Sequence, residues 1–107
     1  KQVFVANTDD CHQDHLVIST EAFRAFKNCT VYGYELPWNS KKFNSQLFVS
    51  VSEQNLQSKI TAIACYKSQA HRLYMQSDFI KSLALVRGTQ VSKSYCETFE
   101  IIRMVIE

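Results

Sequence analysis

The chain has 107 residues, enough for a single domain or part of one, and its 46% hydrophobic and 21% charged residues are those of a chain that buries a core, which excludes disorder. Its 12 Lys+Arg against 10 Asp+Glu leave a net charge of +2, scattered without the basic block that tracks phosphates, so no nucleic acid is expected as a partner. No apolar run approaches the roughly 18–20 residues that cross a bilayer, so no membrane span is expected and the reading is a soluble, cytoplasmic chain.

Lys1 opens the chain, and the apolar run Val3-Phe4-Val5-Ala6 follows almost at once, as in a chain cut from something longer. That run suits a buried strand, and Asn7 to Asp10 after it is a polar turn rich in Asx residues. From Asp14 to Lys27 the residues Ile18, Ala22 and Ala25/Phe26 recur at helical steps, with acid early and Arg24 and Lys27 late, which predicts a helix. Thr30 to Glu35 is β-branched and aromatic, and Leu47 to Val51 alternates with Leu47, Val49 and Val51 on one side, so two strands follow, separated by a Pro37–Asn44 loop. Ser52 caps a helix with the stripe Leu56, Ile60, Ile63 and Lys67. Ser77 caps another with Phe79, Leu83 and Val86 inward and Gly88 in the left-handed position just past its end. Glu97 to Ile106 is a dense apolar strand that requires cover on both faces.

The order β-α-β-β-α-α-β predicts an α/β layered fold, whose functional groups gather in loops after strand C-termini. The four cysteines, Cys11, Cys29, Cys65 and Cys96, contain no CxxC pair, which argues against a thiolate zinc site. They read as buried free thiols in a reducing compartment, with a disulfide-linked secreted domain as the alternative. Cys11, beside His12, is either a reactive thiol or a small residue packed under a turn.

The chemistry concentrates in Thr8-Asp9-Asp10-Cys11-His12-Gln13-Asp14-His15, at a strand-to-helix junction. Residues spaced as His12 and His15 are share a helix face, where two imidazoles can converge on one metal ion or substrate atom, or simply lie in solvent at a helix start. Asp14 is placed to receive a ring N–H from a histidine and fix its tautomer, or to serve as a helix cap. A zinc site needs three or four ligands, and these residues supply one or two. His71, beside Arg72, reads as a solvated histidine at a helix end.

The string Asp10-x-His12-Gln13-Asp14-His15 resembles the second signature of the LmbE-like, or PIG-L, zinc-dependent N-deacetylases. Tyr34-Glu35-x-Pro37-Trp38-Asn39-Ser40, Lys59-Ile60 with Ala62, Ser68-Gln69, Arg87-Gly88 and Tyr95-x-Glu97-x-Phe99-Glu100 follow in the family's order. The resemblance implies the C-terminal half of a Rossmann-like three-layer fold and hydrolysis of an N-acetyl group from an amino sugar or its conjugate. It implies that His15 is a metal ligand for zinc, that His12 as an imidazolium faces the developing oxyanion, and that Asp14 orients one of the two. It further implies that Asp10 binds sugar hydroxyls, and that Arg87 and Glu97 pair near the substrate, or pair only structurally. Trp38, the only tryptophan, either stacks on a sugar or packs in a core or interface.

The family's first signature, His-Pro-Asp-Asp, is not in this sequence, whose one proline is Pro37. The chain is therefore expected to hold zinc weakly or not at all, to be inactive alone, and to associate with itself or with a missing N-terminal half. The alternative is a non-catalytic α/β association module.

Overall fold

A computed structural model describes residues Lys1–Glu107. It is a mixed α/β structure whose strands and helices follow one another as β1 (Gln2–Ala6), α1 (Gln13–Ala25), β2 (Thr30–Tyr34), β3 (Leu47–Ser50), α2 (Glu53–Ala64), α3 (Ser77–Gln90) and β4 (Cys96–Arg103). The sheet order is β1-β2-β4-β3. Contacts divide the chain into two compact units, Lys1–Leu47 with Thr98–Glu107, and Phe48–Glu97. No helix is long and apolar enough to cross a membrane.

In the first unit β1 runs parallel to β2, with Val3 opposite Val31 and Ala6 opposite Tyr34. Because parallel neighbours need a crossover, α1 returns the chain across the sheet and packs there. Its inward residues meet Val5 and Val31, with Val3 and Ile102 packed around them and Ala22 at the centre. β2 pairs antiparallel with β4, Gly33 facing Glu100 and Tyr34 facing Phe99, with one irregularity between Val31 and Tyr32. The register slip frees Ile102 to reach the α1 side. Phe4, Tyr32 and Phe99 cluster, with ring centroids 5.4 to 6.3 Å apart.

The expected stripe of α1 holds at Ala22 and is corrected elsewhere. Ser19 and Ala22 are buried, whereas Ile18 and Phe26 are 58% and 44% exposed. The inward row is His15, Ser19, Ala22, a step of four and then three. Ser19 escapes a hydrophobic reading, and its hydroxyl is satisfied by donating to the Leu16 carbonyl. The helix C-terminus is held by Arg103, which donates to the Phe23 and Phe26 carbonyls and stacks 4.1 Å over the Phe23 ring.

In the second unit Leu56, Ile80 and Ala84 form the core, ringed by Ile60, Ile63, Phe79 and Tyr95. The Ser52 hydroxyl accepts the Asn55 amide hydrogen at 3.0 Å, the cap that the sequence predicts. Ser52→Ala is expected to cost about 1 kcal/mol in chemical denaturation; no loss would show that α2 does not need the bond. Lys67 falls outside α2, in a short 3-10 turn. The α3 face also differs from the expectation: Ile80, Ala84 and Gly88 are inward and Val86 is 55% exposed, with Gln76 rather than Ser77 as N-cap. Gly88 lies inside the helix without a positive φ. Its hydrogen leaves room for the chain that follows, because a Cβ there would meet the Lys93 and Ser94 carbonyl oxygens at 2.6 and 2.8 Å. Ser92 makes the left-handed turn instead, at φ 58°. Lys81 sits 5.9 Å from the Tyr95 ring centre and 3.4 Å from Glu53 Oε1. The charge on Tyr95 when it ionises, and then Glu53, hold the ammonium above the ordinary lysine range.

All four thiols are free. Cys29 and Cys96 are buried as expected, but Cys11 and Cys65 are exposed because they follow the loop and helix surfaces rather than a core.

Candidate functional site

The loop from Asn7 to His12 is organised by its own short polar side chains. Asn7 is 1% exposed; its carbonyl oxygen accepts the Asp9 amide, and its Nδ2 donates to the Tyr34 carbonyl and to Ser40 Oγ. This ties the end of β1 to the segment after β2. The Pro37–Asn39 3-10 turn is fastened to the same loop, since Cys11 N donates to the Asn39 carbonyl at 2.8 Å and Asp10 bridges Ser40. Trp38, 43% exposed, rides on that turn.

Asp10 is the centre of the arrangement. Its carboxylate is 1% exposed, Oδ1 accepts the His12 backbone amide at 2.8 Å, and Oδ2 lies 2.9 Å from His15 Nδ1. A carboxylate only accepts, so His15 carries a proton on Nδ1, and in the neutral ring Nε2 is the lone-pair nitrogen. The His15 side chain is 27% exposed. His12 stacks on it, ring centroids 4.4 Å apart and 25° between planes. His12 Nδ1 accepts the Asp14 backbone amide at 3.2 Å and so caps α1. With Nδ1 accepting, the proton of a neutral His12 lies on Nε2, which makes this ring a donor at its exposed edge.

The two aspartates meet the histidines in different ways. The carboxylate that fixes a histidine tautomer is Asp10, because the turn folds it under α1, while Asp14 is exposed in the first helical turn and reaches His12 through its backbone amide alone. Both Asp10 oxygens accept hydrogen bonds inside the loop, and the carboxylate is 1% exposed.

Arg87 and Glu97 belong to the other unit. Glu97 pairs with Lys59, and Arg87 Nη1 donates to Gln90 Oε1 at 3.1 Å. His71 is exposed between two 3-10 turns rather than at a helix end.

The residues that sequence reasoning gave no role are Asn7, Thr8, Ser40 and Glu100. Glu100, 7% exposed on β4, accepts the Thr8 backbone amide at 2.8 Å and the Thr8 hydroxyl at 2.5 Å. The available signal was Gly33, an isolated glycine among large strand residues, which marks a close approach. Nowhere do three His, Cys, Asp or Glu side chains converge as a metal-binding group. The donors present therefore fit one ligand position, His15 Nε2, and not a whole site. No protein-family model matches the chain, and no curated protein matches it.

Proposed function

We propose that this chain is part of a zinc-dependent N-deacetylase of the LmbE-like, or PIG-L, type, acting on the N-acetyl group of an amino sugar or its conjugate. The observation that carries the reading is the Asp10–His15 pair, a buried carboxylate holding an imidazole so that its far nitrogen is a lone-pair donor. The parallel β1-α1-β2 unit that contains the pair supports a Rossmann-like layering, with the donor just after a strand C-terminus where such folds gather their ligands.

In this reading His15 Nε2 is one ligand, and the others would come from a His-Pro-Asp-Asp signature that this sequence does not contain. A bound zinc would supply Lewis acidity and a water of lowered pKa. His12, held by its cap bond, offers Nε2–H to the acetyl oxygen as charge develops there, and it does so without gaining a proton. Asp10 keeps the His15 lone pair outward. The proton of the attacking water goes to a carboxylate outside these residues. The chain alone is therefore expected to release no acetate from N-acetylglucosamine with zinc present. A longer reading frame joining it to an upstream strand and His-Pro-Asp-Asp is expected to release acetate, and His15→Ala to abolish that activity. Acetate release by the chain alone, or full activity of the His15→Ala protein, would refute the reading.

One observation favours association as a second reading. Phe4, on the edge strand β1, is 51% exposed while stacking on Tyr32 and Phe99. Unpaired strand edges beside apolar side chains promote pairing with another chain. Sedimentation at micromolar concentration is expected to show a dimer or larger species that Phe4→Lys dissociates; a monodisperse monomer removes this reading.

A further inference from the structure

We infer that Glu100 is a positioning residue for the imidazole pair, acting through Thr8. Glu100 belongs to β4 and the histidine loop follows β1, so β2 lies between them in the sheet. The carboxylate crosses at the one place where β2 has no side chain: Gly33 is the cross-strand partner of Glu100 and of Val5. A Cβ on Gly33 would stand 3.1 Å from Glu100 Oε2 and 2.7 Å from Asn7 Cα, which shows how fully the carboxylate and the loop occupy that gap. Having crossed, both carboxylate oxygens grip one residue, Oε2 taking the Thr8 amide and Oε1 the Thr8 hydroxyl.

Thr8 is followed by Asp9 and then Asp10, whose two oxygens set the His12 backbone and the His15 ring. The Asn7 amide bonds determine where the loop begins, and the Glu100 grip determines how Thr8 turns toward Asp10. Charge-assisted bonds to a buried carboxylate are short and directional, so this anchor limits the loop to one arrangement. Its consequence for chemistry rests on the proposed role of His15: a looser Thr8 lets Asp10 drift and the Nε2 lone pair swing away from its partner.

The test uses long-range nitrogen–proton spectra of the imidazoles in the whole, metal-free protein. In the parent, His15 is expected to give well-separated protonated Nδ1 and unprotonated Nε2 resonances, and the stacked rings to shift each other's protons upfield. Thr8→Val removes one donor at nearly constant shape. It is expected to draw the two His15 nitrogens toward their average and to lose the upfield shifts, with far-UV circular dichroism unchanged. Thr8→Ser, which keeps both donors, is expected to restore the parent spectrum, and Glu100→Gln to act in the same direction as Thr8→Val. Parent-like imidazole spectra in folded Thr8→Val would overturn the inference. So would unfolding of Thr8→Val beside an intact Thr8→Ser, since the bond would then be structural only. Zinc added to the parent tests the functional reading separately: His15 resonances indifferent to zinc count against that reading and leave the positioning result standing.

Discussion

Replacing Asp10 by alanine is expected to lower the unfolding free energy by about 3 kcal/mol, read as a shifted midpoint in chemical denaturation. The carboxylate is 1% exposed and serves two donors, the His12 amide and His15 Nδ1, neither of which has another partner. Alanine leaves both without an acceptor beneath α1, and the unmet hydrogen bonds dominate over the small gain from removing a buried charge. Asp10→Asn separates stability from chemistry. Its carbonyl oxygen still accepts the His12 amide, so most of the loop survives. Its amide group, however, now faces His15 Nδ1 with hydrogens, which forces the ring proton to Nε2 and converts the outward lone pair into a donor. Where His15 ligates a metal, that exchange is expected to weaken binding by about 10- to 100-fold, the usual cost of losing a carboxylate behind a histidine ligand. Imidazole nitrogen spectra of Asp10→Asn check the swap directly; a proton that stays on Nδ1 would show that Asp10 does not determine the tautomer.

The second large effect is expected at the two glycines, in a direction opposite to ordinary propensity. Gly33→Ala places a methyl 2.7 Å from Asn7 Cα, a backbone atom that cannot step aside without moving the β1 end. Overpacking of this kind costs about 2–3 kcal/mol. In α3, alanine for glycine would normally stabilise a helix by about 1 kcal/mol. At Gly88 the added methyl would press on two carbonyl oxygens at 2.6 and 2.8 Å, and the net result is expected to be a loss of about 1–2 kcal/mol. Thermal or denaturant midpoints of the two variants decide this. An increase in stability for Gly88→Ala would mean that the Lys93–Ser94 segment yields freely.

Local order was legible in the residues themselves. Strand β1, the Asx turn after it, the Ser52 cap and the succession of strands and helices follow from short-range rules: β-branched and apolar runs, helical spacing, and side chains that bond to their own backbone. The crowding of Asp10, His12, Asp14 and His15 after a strand was visible for the same reason, because all four lie within one loop and one helical turn.

Facing and partnership were decided by tertiary structure. Helix α1 turns Ser19 and Ala22 inward and leaves Ile18 exposed, since the row containing His15 is the one that reaches Asp10. Periodicity of apolar residues cannot express a preference that a polar pair creates. Which aspartate contacts which histidine depends on the fold of a turn: the Asp10 carboxylate meets His15, whereas Asp14 meets His12 through its backbone amide. Glu100 meets Thr8 across 92 positions of chain, a contact that exists only because parallel pairing of β1 and β2 puts Gly33 between them. No local rule links such residues; the sheet does, by bringing a carboxylate, a gap and the Thr8 loop to one place.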